Sequence, residues 1–116
     1  MKPLADVLTG LVALLHLWFL VLEMFLWTRP YGRKVFKLSE EKARSTRALA
    51  MNQGLYNGYL AAGLVWALLS GDPTVRVFFL ACVIVAGIFG ALTVSRRILW
   101  VQALPAALAL ALGCAA

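Results

Sequence analysis

The chain has 116 residues, is 63% hydrophobic and only 14% charged, and carries a formal net charge of +6. Soluble domains are about half apolar and about a quarter charged, so this composition is that of a membrane protein. The basic excess does not indicate nucleic acid, because the Lys and Arg residues flank hydrophobic runs instead of spreading over a polar surface.

The fold expected is all-α: a four-helix transmembrane bundle with antiparallel up-down connections, forming a single integral membrane domain over residues 1–116. Each span is judged against the ~20 apolar residues a helix needs to cross hydrocarbon. The first span runs over about 4–27. It is too long for a signal-peptide core, it contains His16 and Glu23, and no small-residue cleavage site follows it. A cytoplasmic loop is expected over about 28–39, since Pro30 and Gly32 are helix breakers. Ser39 followed by Glu40, Glu41 and Lys42 has the pattern of a helix start, with serine as N-cap and acids in the first turn. The second helix accordingly covers about 40–70, entering the membrane near Ala48 and ending at the turn Gly71-Asp72-Pro73. A third helix over about 75–94 is the most purely apolar. A short connection at 95–97 leads to a fourth over about 98–113, in which Pro105 predicts a kink or local break.

Seven of the eleven basic residues lie between Arg29 and Arg47, and Arg96 and Arg97 occupy the third connection. Lys2 and Arg76 are the only two on the other side of the spans. Positive-inside then sets both basic loops in the cytoplasm and both termini outside, in a multi-pass protein of the cell inner (plasma) membrane.

Polar groups within the spans are the candidate functional residues. His16 and Glu23 are two helical turns apart and share a face of the first helix. An ionisable group near the bilayer centre costs at least ~2.5 kcal/mol, so both are expected to face other helices or a wet cavity. In the stretch NQGLYNG (52–58), Asn52, Tyr56 and Tyr59 fall on one side of a helix, with Gln53 and Asn57 on an adjacent one. Gly54, Gly58 and Ala62 form a small-residue stripe suited to close helix packing. The amide-tyrosine sector is expected to face the bundle interior. There it would meet Glu23, the deeper His16, and Gln102 of the fourth helix in a cytoplasm-side cavity. Arg44 and Arg47 would hold an anionic group at its mouth. A structural network of the same groups is the alternative, with Glu23 pairing to a basic or amide group of the second helix. One histidine and two isolated cysteines build no metal cage, and no metal site is expected. No phosphate-binding loop, dinucleotide-binding glycine motif, hydrolase triad or HExxH motif is present.

The runs LEMFLW (22–27), PYGRKVF (30–36), LAMNQGLYNGYLAAGL (49–64), CVIVAGIFGALTV (82–94) and ILWVQALPA (98–106) resemble the bacterial family labelled domain of unknown function 1304. The resemblance covers nearly the whole chain and implies a small integral membrane protein of four helices with no assigned activity. A more distant likeness is to the membrane-associated proteins in eicosanoid and glutathione metabolism. Their second helix carries an Arg-Ala pair, an Asn, a Glu and often a Tyr that help bind glutathione in a trimer. Arg47-Ala48, Asn52 and Tyr56 are the matching positions here. The asparagine is one residue late and Leu55 stands where the glutamate would fall. Three function classes stay open: a protein or enzyme binding a small amphipathic ligand, with glutathione as one candidate; a small transporter or oligomeric channel; and a structural or partner-binding subunit that self-associates as a homo-oligomer.

Overall fold

The structure, a computed structural model, describes residues 2–115. The described residues are almost entirely helical and contain no strand. The helices are α1 (Lys2–Met24), α2 (Pro30–Phe36), α3 (Glu40–Ser45), α4 (Arg47–Ser70), α5 (Pro73–Thr93) and α6 (Leu104–Ala115). A π-helical stretch (Leu99–Ala103) runs directly into α6. Of these, α1 and α5 are long and apolar enough to cross a membrane. The chain divides into two compact units, Leu15–Tyr59 and the combination of Met1–Leu14 with Leu60–Ala116.

In the unit of residues 15–59, α1 stops at Met24, before the expected end at 27. The amides of Phe25 and Leu26 both return to the Val21 carbonyl in a closing turn. Trp27 is then free to leave the helical path. Its ring lies 4.7 Å from Phe36, and its indole Nε1 donates to Thr46 Oγ1 at 3.0 Å.

The expected loop over 28–39 contains a helix. Arg29 is extended, as the residue before a proline is biased to be. Pro30 then sits in the first turn of α2, where its missing N–H costs nothing. Gly32 does not break α2: it lies against the Leu26 carbonyl, where a Cβ has no room. The helix closes on Lys37, a left-handed residue (φ 55°, ψ 47°), with the Leu38 amide returning to the Arg33 carbonyl.

The single helix expected over 40–70 is two. Ser39 caps α3 as its pattern requires, accepting the Lys42 amide at 3.0 Å. At Thr46 the backbone leaves helical geometry (φ −106°, ψ 7°), and the Thr46 hydroxyl donates to the Lys42 carbonyl at 2.7 Å. A threonine hydroxyl competing for a backbone carbonyl is a known helix perturbation, and here it separates α3 from α4.

In the other unit, Val12, Ala13, Leu64, Leu80, Val83, Ala106 and Ala109 form the buried cluster. Gly87 abuts the backbone of Ala103, and Gly90 abuts Ile98, so α5 lies close to the π-helical stretch. Asp72 caps α5, accepting the Thr74 amide at 2.9 Å, after the positive-φ turn residue Gly71. The local break expected from Pro105 takes the form of the π-helical stretch just before it. The Leu104 amide reaches back five residues to the Leu99 carbonyl. A proline ring displaces the carbonyl four residues earlier, and an added residue in the turn relieves the clash.

Candidate functional site

In this fold the inward side of α4 within residues 47–59 is set by Ala50, Gly54 and Asn57, all buried. These recur at helical spacing. At Gly54 the α1 backbone comes close: a Cβ there would stand 3.3 Å from the Leu20 carbonyl oxygen and 3.2 Å from Glu23 Cβ. Gly58 faces the Leu20 side chain. The small-residue stripe expected over Gly54 and Gly58 thus packs within the chain, while Ala62 is exposed.

That close approach brings Asn57 to Glu23. The Asn57 Nδ2 donates to Glu23 Oε1 at 2.5 Å, and both residues are buried, at 9% and 8% exposure. Burial of a carboxyl group without a donor would cost several kcal/mol, and the amide offsets part of that cost. The pairing is the one expected in the structural alternative, an amide of the second long helix holding Glu23.

The rest of the candidate set does not converge on this pair. Asn52, Gln53 and Tyr56 are exposed, Tyr56 at 65%. The expectation that the amide-tyrosine sector faces the bundle interior is therefore corrected. Asn52 and Tyr56 lie a half turn from the inward line of Gly54 and Asn57, so the same close packing that buries Asn57 turns them out. Tyr59 is exposed beside Tyr56, their rings edge to face at 6.0 Å. His16 is fully buried on α1 with its ring against Phe19 at 5.4 Å. Arg44 is exposed on α3 and pairs with Glu40 at 3.1 Å. Arg47 is exposed at the first position of α4. Gln102 belongs to the other unit, half-buried in the π-helical stretch.

Two groups that sequence reasoning did not single out as interacting prove structural: Trp27 and Thr46, joined by the indole hydrogen bond. The signal for Thr46 is the Ser45-Thr46 pair between Arg44 and Arg47 at the foot of an apolar run, since such hydroxyls compete for helix carbonyls. Among the described residues no group of three or more His, Cys, Asp or Glu is placed to hold a metal ion.

Exposed large apolar side chains run along the long helices. On α1, Leu4, Val7, Leu11, Leu14 and Trp18 are exposed at helical spacing; on α5, so are Phe78, Val85, Phe89 and Leu92. Inside lie eight of the alanines, Ala5, Ala13, Ala50, Ala61, Ala67, Ala103, Ala106 and Ala109, together with Val12, Leu22, Leu64, Leu80 and Val83. Large apolar side chains thus lie both inside and outside, and the exposed ones outnumber what a water-facing surface needs.

The family model described as protein of unknown function (DUF1304) matches residues 10–114. An uncharacterised protein, YpaA of Lactococcus lactis subsp. lactis, is 31% identical over 114 residues, which span 95% of this chain and 96% of that protein. No solved structure matches the chain.

Proposed function

This chain belongs to the DUF1304 family, and for it we propose a multi-pass integral membrane subunit that associates with a second copy of itself through the outer face of α4. Four helical segments serve as spans: α1, α4, α5 and the π-helical stretch continued by α6. The basic segments at 29–47 and 96–97 lie in the cytoplasm with both termini outside, by the positive-inside rule.

One observation carries the reading. Away from the helix ends, the exposed surface of α1, α4 and α5 is apolar except for the sector of Asn52, Gln53, Tyr56 and Tyr59. Apolar surface of that extent favours lipid over water. Amides facing lipid would lack hydrogen-bond partners, so this sector favours a protein or ligand surface over hydrocarbon. An amide is its own complement, carrying donors and an acceptor, and a symmetry axis beside Asn52 would set it against Asn52 of the next copy.

Site-directed cross-linking in native membranes tests the proposal. In a background with Cys82 and Cys114 replaced by alanine, Asn52→Cys and Tyr56→Cys should form disulfide-linked dimers. Leu69→Cys, 84% exposed and beyond the polar sector, should not. A protein that stays monomeric from every α4 position overturns self-association.

A small amphipathic ligand against the same face is the second reading, favoured by the Tyr56–Tyr59 ring pair beside the amides. A thermal-shift series with glutathione and short-chain amphiphiles on wild type and Asn52→Ala separates the two. A ligand that stabilises wild type alone supports the second reading.

A further inference from the structure

Helix α2 carries three chemically distinct sectors. Gly32 and Phe36 turn to the protein, against the Leu26 carbonyl and the Trp27 ring. Tyr31 and Val35, one turn apart, are apolar and exposed at 54% and 40%. Arg33 and Lys34 occupy the remaining sector, and the exposed Lys37 follows at the left-handed C-cap.

No acid faces these cations from their own helix. Of the three acids in this unit, Glu23 is bonded to Asn57, Glu40 to Arg44, and Glu41 stands exposed on α3. Residues 29–47 hold seven Lys or Arg against two Glu, a net of +5. The Arg33 Nε is sealed from solvent and has no acceptor among the described residues. Trp18 extends the apolar side, its exposed ring 6.3 Å from Tyr31.

A helix in bulk water gains nothing from an exposed Tyr-Val sector, and a helix in hydrocarbon cannot carry three cations. A short helix lying in the headgroup layer satisfies both, with its apolar sector toward the acyl chains and its basic sector toward phosphate. Guanidinium and ammonium groups are also common partners of phosphate oxygens. We propose that α2 is an interfacial site for the phosphate of an anionic phospholipid, held by Arg33, Lys34 and Lys37 while Tyr31 and Val35 enter the acyl boundary. The site rests on the membrane reading above but not on self-association.

The test uses the purified full chain and water-soluble dihexanoyl phosphatidylglycerol, with dihexanoyl phosphatidylcholine and inorganic phosphate as comparison arms. Binding is read by calorimetry. Phosphatidylglycerol should bind roughly tenfold more tightly than phosphatidylcholine, and about 0.5 M salt should remove most of that preference. The triple variant Arg33→Gln/Lys34→Gln/Lys37→Gln should bind phosphatidylglycerol up to roughly 100-fold more weakly. The control Arg96→Gln/Arg97→Gln, which removes cations from the other basic connection, should match wild type. If the triple variant does not fold, the exposed Lys34→Gln alone should lose about fivefold.

Equal binding of the two lipids overturns the site, as does an unchanged triple or single variant, or an equal loss in the Arg96/Arg97 control. Displacement of the lipid by inorganic phosphate would make it a free-anion site and overturn it too. Alkaline carbonate extraction of native membranes reports separately on the membrane reading. Protein that stays in the pellet but lacks the lipid preference refutes the α2 site alone. Protein released by carbonate refutes the membrane reading.

Discussion

Residues 15–59 and the unit built from residues 1–14 and 60–116 are held together by different means. The second has a core of aliphatic side chains and close glycine contacts, with Gly63 against Phe79, Gly87 against Ala103 and Gly90 against Ile98. The first joins its helices through specific polar bonds: Asn57 to Glu23, and the Trp27 indole to Thr46. The difference has a physical logic if the helices stand in lipid, as proposed above. Where hydrocarbon offers no hydrophobic drive for helices to associate, shape and hydrogen bonds are the available sources of specificity. One unit draws mainly on shape and the other on both.

The sharpest way to break the shape-based unit is Gly87→Leu. A Cβ at this position would stand 2.8 Å from the Ala103 nitrogen and 3.0 Å from its Cα, and backbone cannot swing aside. Overpacking of this kind costs about 3 kcal/mol or more, so thermal unfolding in detergent should show a large drop in Tm or loss of folded protein. Gly54→Leu in the other unit should cost less, about 2 kcal/mol, because the two atoms nearest its Cβ, Met24 Cγ at 2.5 Å and Glu23 Cβ at 3.2 Å, belong to side chains and the backbone comes no closer than the Leu20 carbonyl oxygen at 3.3 Å. Equal losses at the two sites would erase the contrast between the units.

The polar unit is broken by removing one partner. Asn57→Leu leaves the Glu23 carboxyl buried without its donor and should cost about 2 kcal/mol. The double variant Glu23→Leu/Asn57→Leu should recover most of that loss, since two apolar groups leave nothing unsatisfied. A double-mutant cycle on unfolding free energies measures the coupling. Zero coupling would make the bond incidental to stability.

How far the sequence disclosed these features depends on what each one requires. Caps and turns are local, so Ser39, Asp72 and Gly71 could be placed from their neighbours alone. The Pro105 disturbance was legible for the same reason, although not its π-helical form. The misread elements are those where a residue has two uses. Pro30 ends helices in general but begins α2, and Gly32 is there for close contact with the Leu26 backbone, which no local pattern reveals. Thr46 looks like an ordinary helical position until its hydroxyl is seen to take the Lys42 carbonyl. The orientation of α4 was the largest gap. Periodicity fixes that Asn52 and Tyr56 share a face and that Asn57 lies elsewhere. It does not say which face meets α1, and the close contact at Gly54 decides that.

Two residues with positive φ carry the comparison to single-residue scale. Gly71 (φ 68°) sits in the turn before α5, and Lys37 (φ 55°) closes α2. Gly71→Ala should cost about 1 kcal/mol, because a Cβ is strained at this φ even with open space around it.

Lys37→Gly should do the reverse and raise stability by about 0.5–1 kcal/mol, measured by chemical unfolding in detergent. A chain that places lysine where glycine folds better is giving up stability at that position. The exposed ammonium is what it keeps, at the end of α2 just after Arg33 and Lys34. If the charge serves the headgroup site, Lys37→Gly should be more stable than wild type and also bind phosphatidylglycerol about fivefold more weakly. The two effects have opposite signs, so a general loss of structure cannot mimic them. A variant that gains stability and keeps full lipid affinity would show that the ammonium of Lys37 is not what the left-handed cap preserves.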